Sequence, residues 1–154
     1  MNTQTQQKQS SREVETNDPS LLFNNIFNGL DILTPVDYLT AVREGITGHE
    51  LRDIAKTIGN RELIARSIGR DPSNLSRAYQ VKHLSQIASD SVVDIARVYL
   101  QAARVYGSIE LAKKWMSLPI PALGGEIPEK LIDSHAGREL VRQTLKKMEF
   151  GEYI

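Results

Sequence analysis

Apolar side chains recur at helical spacing along this chain, and glycine cuts the pattern at positions 45, 59, 69 and 107. A glycine just past a periodic run ends a helix cheaply, because it enters the left-handed conformation without a Cβ clash. In "TPVDYLTAVREG", Thr34 sits at the N-cap, Pro35 at the first helical position and Gly45 at the stop. In "TGHELRDIAKTIG", Leu51, Ile54, Ala55 and Ile58 share one side before Gly59. Upstream, "SLLFNNIFNGL" repeats Leu22, Ile26 and Leu30 at four, with Phe23 and Phe27 alongside. No convincing period-two strand occurs. Such a chain builds its core by packing short helices on one another, which makes the expected fold all-α.

The second half continues in the same manner. A helix is predicted from about Asp90 to Tyr106, with Val92, Val93, Ile95, Ala96, Tyr99, Ala103 and Tyr106 as its apolar positions and Gly107 as its end. Ser108 caps a shorter helix through Met116. "LPIPALGGEIP" concentrates proline and glycine where neither helix nor central strand survives, and reads as an elbow. The last helix, roughly His135 to Glu149, shows Leu140, Val141, Thr144, Leu145 and Met148 as a buried stripe, with Arg138, Arg142, Lys146 and Lys147 on its polar sides. Residues 1–19, rich in Gln, Thr, Ser and Asn, hold too little apolar surface to offset chain entropy and are expected to be a disordered arm. The expected organisation is that arm, a helical unit over 20–88 and a second helical unit over 89–154.

The segment "RELIARSIGRDPSNLSRAYQ" turns a corner between two helices. Ala65 is the small residue at the closest approach, Gly69 supplies the turn and Leu75 plugs the core, with Ile64, Ile68 and Ala78 filling the other inward positions. Asp71 and Pro72 start the second helix as cap and first-turn pair. That leaves Ser73, Asn74, Ser76, Arg77 and Gln80 outward, with Lys82 just beyond. Asn and Gln suit adenine edges, Arg suits guanine, and Ser suits base edges or phosphate, so these are the candidate DNA-binding residues of a helix-turn-helix. The plain alternative is a helical corner whose polar face is merely solvated.

Charge supports the DNA reading. The chain carries 19 basic and 19 acidic side chains, yet residues 61–83 hold five Lys/Arg against two Asp/Glu. Near-zero net charge implies modest affinity per copy and therefore a homodimer, with the helix containing Tyr99, Ala103 and Tyr106 as the expected contact. Cysteine is absent, which excludes disulfides and thiolate chemistry and fits the cytoplasm. No apolar run has the length of a membrane span, and the first residues lack a signal-type stretch.

Enzymatic readings find little support. His49, His83 and His135 lack metal-ligand spacing, and Asp133, Ser134 and His135 are sequence neighbours, whereas a catalytic triad converges across a fold. "PALGGE" lacks the Lys and Ser/Thr of a phosphate-binding loop. No enzyme activity, cofactor or metal is expected. Trp115 is either a core residue at the elbow or a binding anchor. The basic side chains of the last helix are either a solvated face or a match for an acidic partner. A stand-alone transcriptional regulator with a C-terminal dimerisation or ligand-sensing half, and a pure interaction module, also fit these features.

The C-terminal half carries a specific resemblance. Tyr106, Gly107, Ala112, Trp115, Met116, Pro119, Ala122 through Gly125, Pro128, Leu131, Ile132, Gly137, Val141, Leu145 and Gly151 follow, in order and spacing, the toxin-binding domain of Xre-type antitoxins of the MbcA/ParS/Xre family, the partners of RES-domain toxins. The corner segment resembles the same family's Xre-like DNA-binding domain, so the likeness spans about residues 30–154. Ile127 and Ser134 depart from it, each standing where Thr is common. The resemblance implies an antitoxin that represses its own promoter and neutralises a RES toxin which consumes NAD or uses it for ADP-ribosylation. It also implies that the C-terminal end covers the toxin's active site. The toxin-binding residues expected on this basis are Trp115, Arg142, Lys146, Gly151, Glu152, Tyr153 and Ile154. Folding of Tyr153 and Ile154 back onto the last helix is the alternative for that end.

Overall fold

The computed structural model describes residues 18–151, and among them every regular element is helical. The fold is all-α, as expected. An isolated antiparallel bridge, Ile120 to Glu126, pins the elbow.

Helix α1, Pro19–Ile26, is capped by Asp18, whose carboxylate accepts from the Ser20 amide at 2.9 Å. The helix thus takes in Pro19, the last residue of the expected arm; residues 1–17 lie outside the described residues. Its buried stripe is Phe23 and Phe27, while Leu22, Ile26 and Leu30 are only partly covered. Helix α2, Pro35–Glu44, opens at Thr34, but the Thr34 hydroxyl donates backward to the Asp31 carbonyl and caps nothing. Helix α3, Gly48–Ile58, is closed at its start by a reciprocal capping box between Thr47 and Glu50.

Helix α4, Arg61–Ser67, runs into the corner. Gly69 holds φ at +70, a conformation that costs a side-chain-bearing residue energy, and lets the Arg70 amide donate to the Ala65 carbonyl at 2.9 Å. The restart is a 3-10 turn, Pro72–Asn74, merging into the short helix α5, Leu75–Ala78. Ile64, Ala65, Leu75 and Ala78 are buried as their spacing predicts, whereas Ile68 is only partly so.

Helix α6, Gln86–Tyr106, is the axis of the molecule, packing against α1, α2, α3 and α4 and against the helices that follow it. Its 21 residues reach about 32 Å. It begins four residues before the predicted Asp90, because Ser85 caps it by accepting from the Ala88 amide. The expected division at 88/89 therefore falls in its first turn, and one buried cluster runs from Phe23 to Leu145. Tyr99 and Ala103, expected at a dimer contact, are enclosed in the chain's own core, and Tyr106 is partly covered there. Enclosed in this way, Tyr99 and Ala103 are not available to a partner.

Helix α7, Ile109–Met116, capped by Ser108, leads through the elbow and its 3-10 turn Pro121–Leu123 to α8, Pro128–Leu131, and α9, His135–Glu149. Gly137 is obligatory by contact: a Cβ there would stand 1.6 Å from the Leu131 carbonyl oxygen. The final helix has the predicted bounds but not the predicted stripe. Leu140 is 48% exposed, and Arg138, placed on the polar side, points inward. No helix among the described residues is long and apolar enough to cross a membrane.

Candidate functional site

Three groups of side chains stand out, one on the corner, one between α6 and α9, and one on the surface of the C-terminal helices.

On the corner, Ser73, Asn74, Ser76, Arg77, Gln80 and Lys82 are all exposed, while the intervening Leu75 and Ala78 anchor the backbone in the core. Asp71 accepts from both the Ser73 hydroxyl, at 2.5 Å, and the Ser73 amide, at 2.9 Å, and these bonds hold its carboxyl below its usual range. The Ser73 hydroxyl proton is thereby committed and its oxygen left to accept. Arg61 donates to the Pro72 carbonyl and steadies the turn from α4. Among the described residues, Arg70, Arg77 and Lys82 enter no ion pair, so their charge faces solvent. The arrangement offers a short helix with hydrogen-bonding side chains on one face and cations at its edges.

Between α6 and α9, the carboxylate of Asp94 gathers three guanidinium groups. Arg138 Nε donates at 2.6 Å, Arg142 Nη2 at 2.9 Å and Arg97 Nη1 at 3.1 Å. Arg138 also donates to the Ile132 carbonyl, and Arg142 to Glu139. Burial on its own raises the Asp94 carboxyl, but the bonds from Arg138 and Arg142 and their charge outweigh it and leave the group below its ordinary value. Arg97 lies 4.2 Å over the Tyr38 ring, and the Tyr38 hydroxyl donates to Asp90. Burial first, and that bond second, push the Tyr38 phenol up. Sequence reasoning missed this cluster. Its legible trace was an aspartate inside the apolar run "VVDIA".

On the C-terminal helices, Trp115 is only 8% exposed and lies against Tyr106, with ring centroids 5.9 Å apart. The Tyr106 hydroxyl points to the Met148 sulfur at 3.7 Å, so this aromatic pair joins α6, α7 and α9. Leu111, one turn before Trp115 on α7, and Leu118, just past the end of that helix, are both half-exposed. Leu140 and Phe150, the latter 69% exposed, add apolar surface on α9. Lys146 is exposed and lines a 240 Å³ hollow with Leu33, Gln101, Arg104, Glu149 and Phe150. Arg142 is largely covered by its bonds to Asp94 and Glu139. Gly151 is an exposed turn residue, and Glu152, Tyr153 and Ile154 lie outside the described residues.

The histidines do local work. His83 pairs with the Gly45 carbonyl and His49 with Arg52, while His135 opens α9 beside its cap Ser134, which accepts from the Gly137 amide. Among the described residues, no group of three or more His, Asp or Glu is placed to hold a metal ion. Ser134 thus performs the capping for which a threonine hydroxyl also serves.

Comparison with known proteins bears on the third group. Residues 101–151 match the model of the antitoxin Xre/MbcA/ParS C-terminal toxin-binding domain. Over 131 residues the chain is 23% identical to a protein of Sphingobium sp. (strain YBL2) described as a Prs ADP-ribosylating antitoxin, covering 78% of this chain and 82% of that one.

Proposed function

We infer that this chain, an Xre/MbcA/ParS-family antitoxin by its toxin-binding segment, neutralises a RES-type toxin that acts on NAD and regulates its own operon by binding promoter DNA. The observation that carries the reading is the placement of Leu111, Leu118, Leu140 and Phe150. All four are large apolar side chains left in solvent, and all four lie within the matched residues 101–151. Apolar surface kept exposed in a folded chain favours a partner that covers it. The name of the Sphingobium relative favours ADP-ribosylation as the partner toxin's chemistry. Lys146 lines the hollow beside Phe150, and Trp115 lies one turn from Leu111, whereas Arg142 acts in this reading by holding α9 against α6. Both partners are met in the cytoplasm.

The end of the chain completes the neutralisation in this reading. Removing residues 151–154 is expected to leave the toxin bound through the helical surface but to restore its consumption of NAD, measured as cofactor loss in the purified complex. Suppression as complete as with the full chain would place the block elsewhere.

DNA recognition is assigned to Ser73, Asn74, Ser76, Arg77, Gln80 and Lys82, supported by their common exposure and by the unpaired cations around them. Two copies of the chain bring two such helices to two half-sites. Arg77→Ala should weaken binding to the chain's own promoter by about 1 to 3 kcal/mol without altering toxin binding, as read by fluorescence anisotropy at fixed salt. Equal affinity of variant and parent would remove Arg77 from the reading surface.

A further inference from the structure

Residues 1–60 carry five Lys/Arg against eight Asp/Glu, so their count alone points away from nucleic acid. The fold nevertheless sets the first turn of α3 against the end of α5. The Gly48 amide donates to the Val81 carbonyl at 3.1 Å, and a Cβ on Gly48 would stand 2.4 Å from the Tyr79 carbonyl oxygen, so the two segments meet backbone to backbone. Arg52 lies one turn beyond Gly48 on the same side of α3. It is exposed, as are His49 beside it and Lys82 next to Val81. Arg52 Nη2 and His49 Nδ1 are 2.6 Å apart. A guanidinium only donates, so Nδ1 accepts and the neutral ring carries its hydrogen on Nε2. The carboxylates of α3 are engaged elsewhere. Glu50 accepts from the Thr47 amide at 2.8 Å and from the Asn28 side chain at 3.0 Å, while Asp53 lines a hollow toward α1 and α7 with Leu22, Lys56 and Ile109. Among the described residues Arg52 enters no ion pair.

We propose that Arg52 and His49 form a backbone-phosphate site on duplex DNA, a second segment of the interface centred on the corner. The helix α5 spans only Leu75–Ala78, too short to run along a groove, so the elements packed against its end meet the sugar-phosphate strand that walls the groove. The chemistry there suits phosphate. The Arg52 guanidinium spends one donor on His49 and keeps a charged, planar set of N–H groups for an anionic oxygen, and His49 Nε2 adds a neutral donor beside it. Lys82 supplies a third donor from the segment that Gly48 touches. Gly48 is what permits the arrangement, since any side chain there would push α3, and Arg52 with it, away from α5. Base edges lie with Ser73, Asn74, Ser76, Arg77 and Gln80, whereas Arg52 fixes the position of the corner without reading sequence. The inference rests on the DNA part of the functional reading and on no part of the toxin reading.

The test is the salt dependence of binding by the full chain to two labelled duplexes, its own promoter and a random sequence of equal length, read by fluorescence anisotropy. Arg52→Gln is expected to weaken binding to both duplexes alike and to reduce the slope of log affinity against log salt by about 1. Its deficit relative to the parent should therefore shrink by about threefold from about 50 to about 200 mM salt. Arg77→Ala is expected to act mainly on the promoter. Arg104→Ala removes an equal charge at the far end of α6 and should leave the slope as in the parent. Helical circular dichroism should be unchanged in all three, since each side chain is exposed. A parent that binds neither duplex overturns the DNA reading together with this site. Parent affinity and slope in Arg52→Gln, a loss confined to the promoter, or an equal loss of slope in Arg104→Ala overturns the phosphate site alone.

Discussion

Asp94→Ala is expected to destabilise the chain by about 3 to 5 kcal/mol, because it leaves buried guanidinium groups without their common counter-ion. The group sits 5% exposed where α6 meets α9, with Arg138 almost as deep. For a chain of this size such a loss lowers the thermal midpoint by about 10 °C or more. The effect depends on pH in a definite direction. The folded carboxyl titrates below its unfolded value of about 3.9, so its contribution is fully present above that value and is lost as pH falls through the folded pKa. Thermal melts from neutral pH down to about 3 should therefore fall more steeply for the parent than for Asp94→Ala, the two curves converging in acid. Parallel curves separated by a constant amount would deny the carboxylate its role.

Leu118→Glu is the second large effect. Leu118 follows α7 at the edge of the aromatic pair, half in solvent, so a glutamate there is tolerated by the free chain. On the proposed toxin contact the same glutamate would enter an apolar interface, which should weaken toxin binding by about 2 kcal/mol or more, roughly thirtyfold. Titration calorimetry against the purified toxin measures it, and promoter binding by the same variant should be unchanged. Undiminished toxin affinity would move the contact surface away from α7.

The reach of the sequence was set by the range of the interactions. Local chemistry was readable: Ser108 and Gly107 as neighbouring start and stop signals, the bounds of α9, and the corner formed by Ala65, Gly69, Leu75 and Ala78. Each depends on residues within a turn or two of one another. What escaped depends on contacts across more than forty positions. Arg138 reads as a surface cation until Asp94 is brought beside it, and Leu140 reads as core until the helix is rotated to suit that pair. Tyr99 and Ala103 looked free for a dimer only because nothing local tells that α6 is surrounded. The two exposed surfaces divide in the same way. Outward residues of the corner followed from the inward ones, while the apolar edge around Trp115 emerged only from the packing.

The central claim is that the C-terminal helices and the end of the chain together hold a NAD-consuming toxin inactive, and the most direct measurement is NAD concentration in cells expressing a RES-type toxin with and without this chain. NAD should collapse with the toxin alone and be preserved when the chain is co-expressed, the two proteins then co-purifying as one complex. Preserved NAD without co-purification, or NAD collapse despite a stable complex of the full chain, would contradict the account.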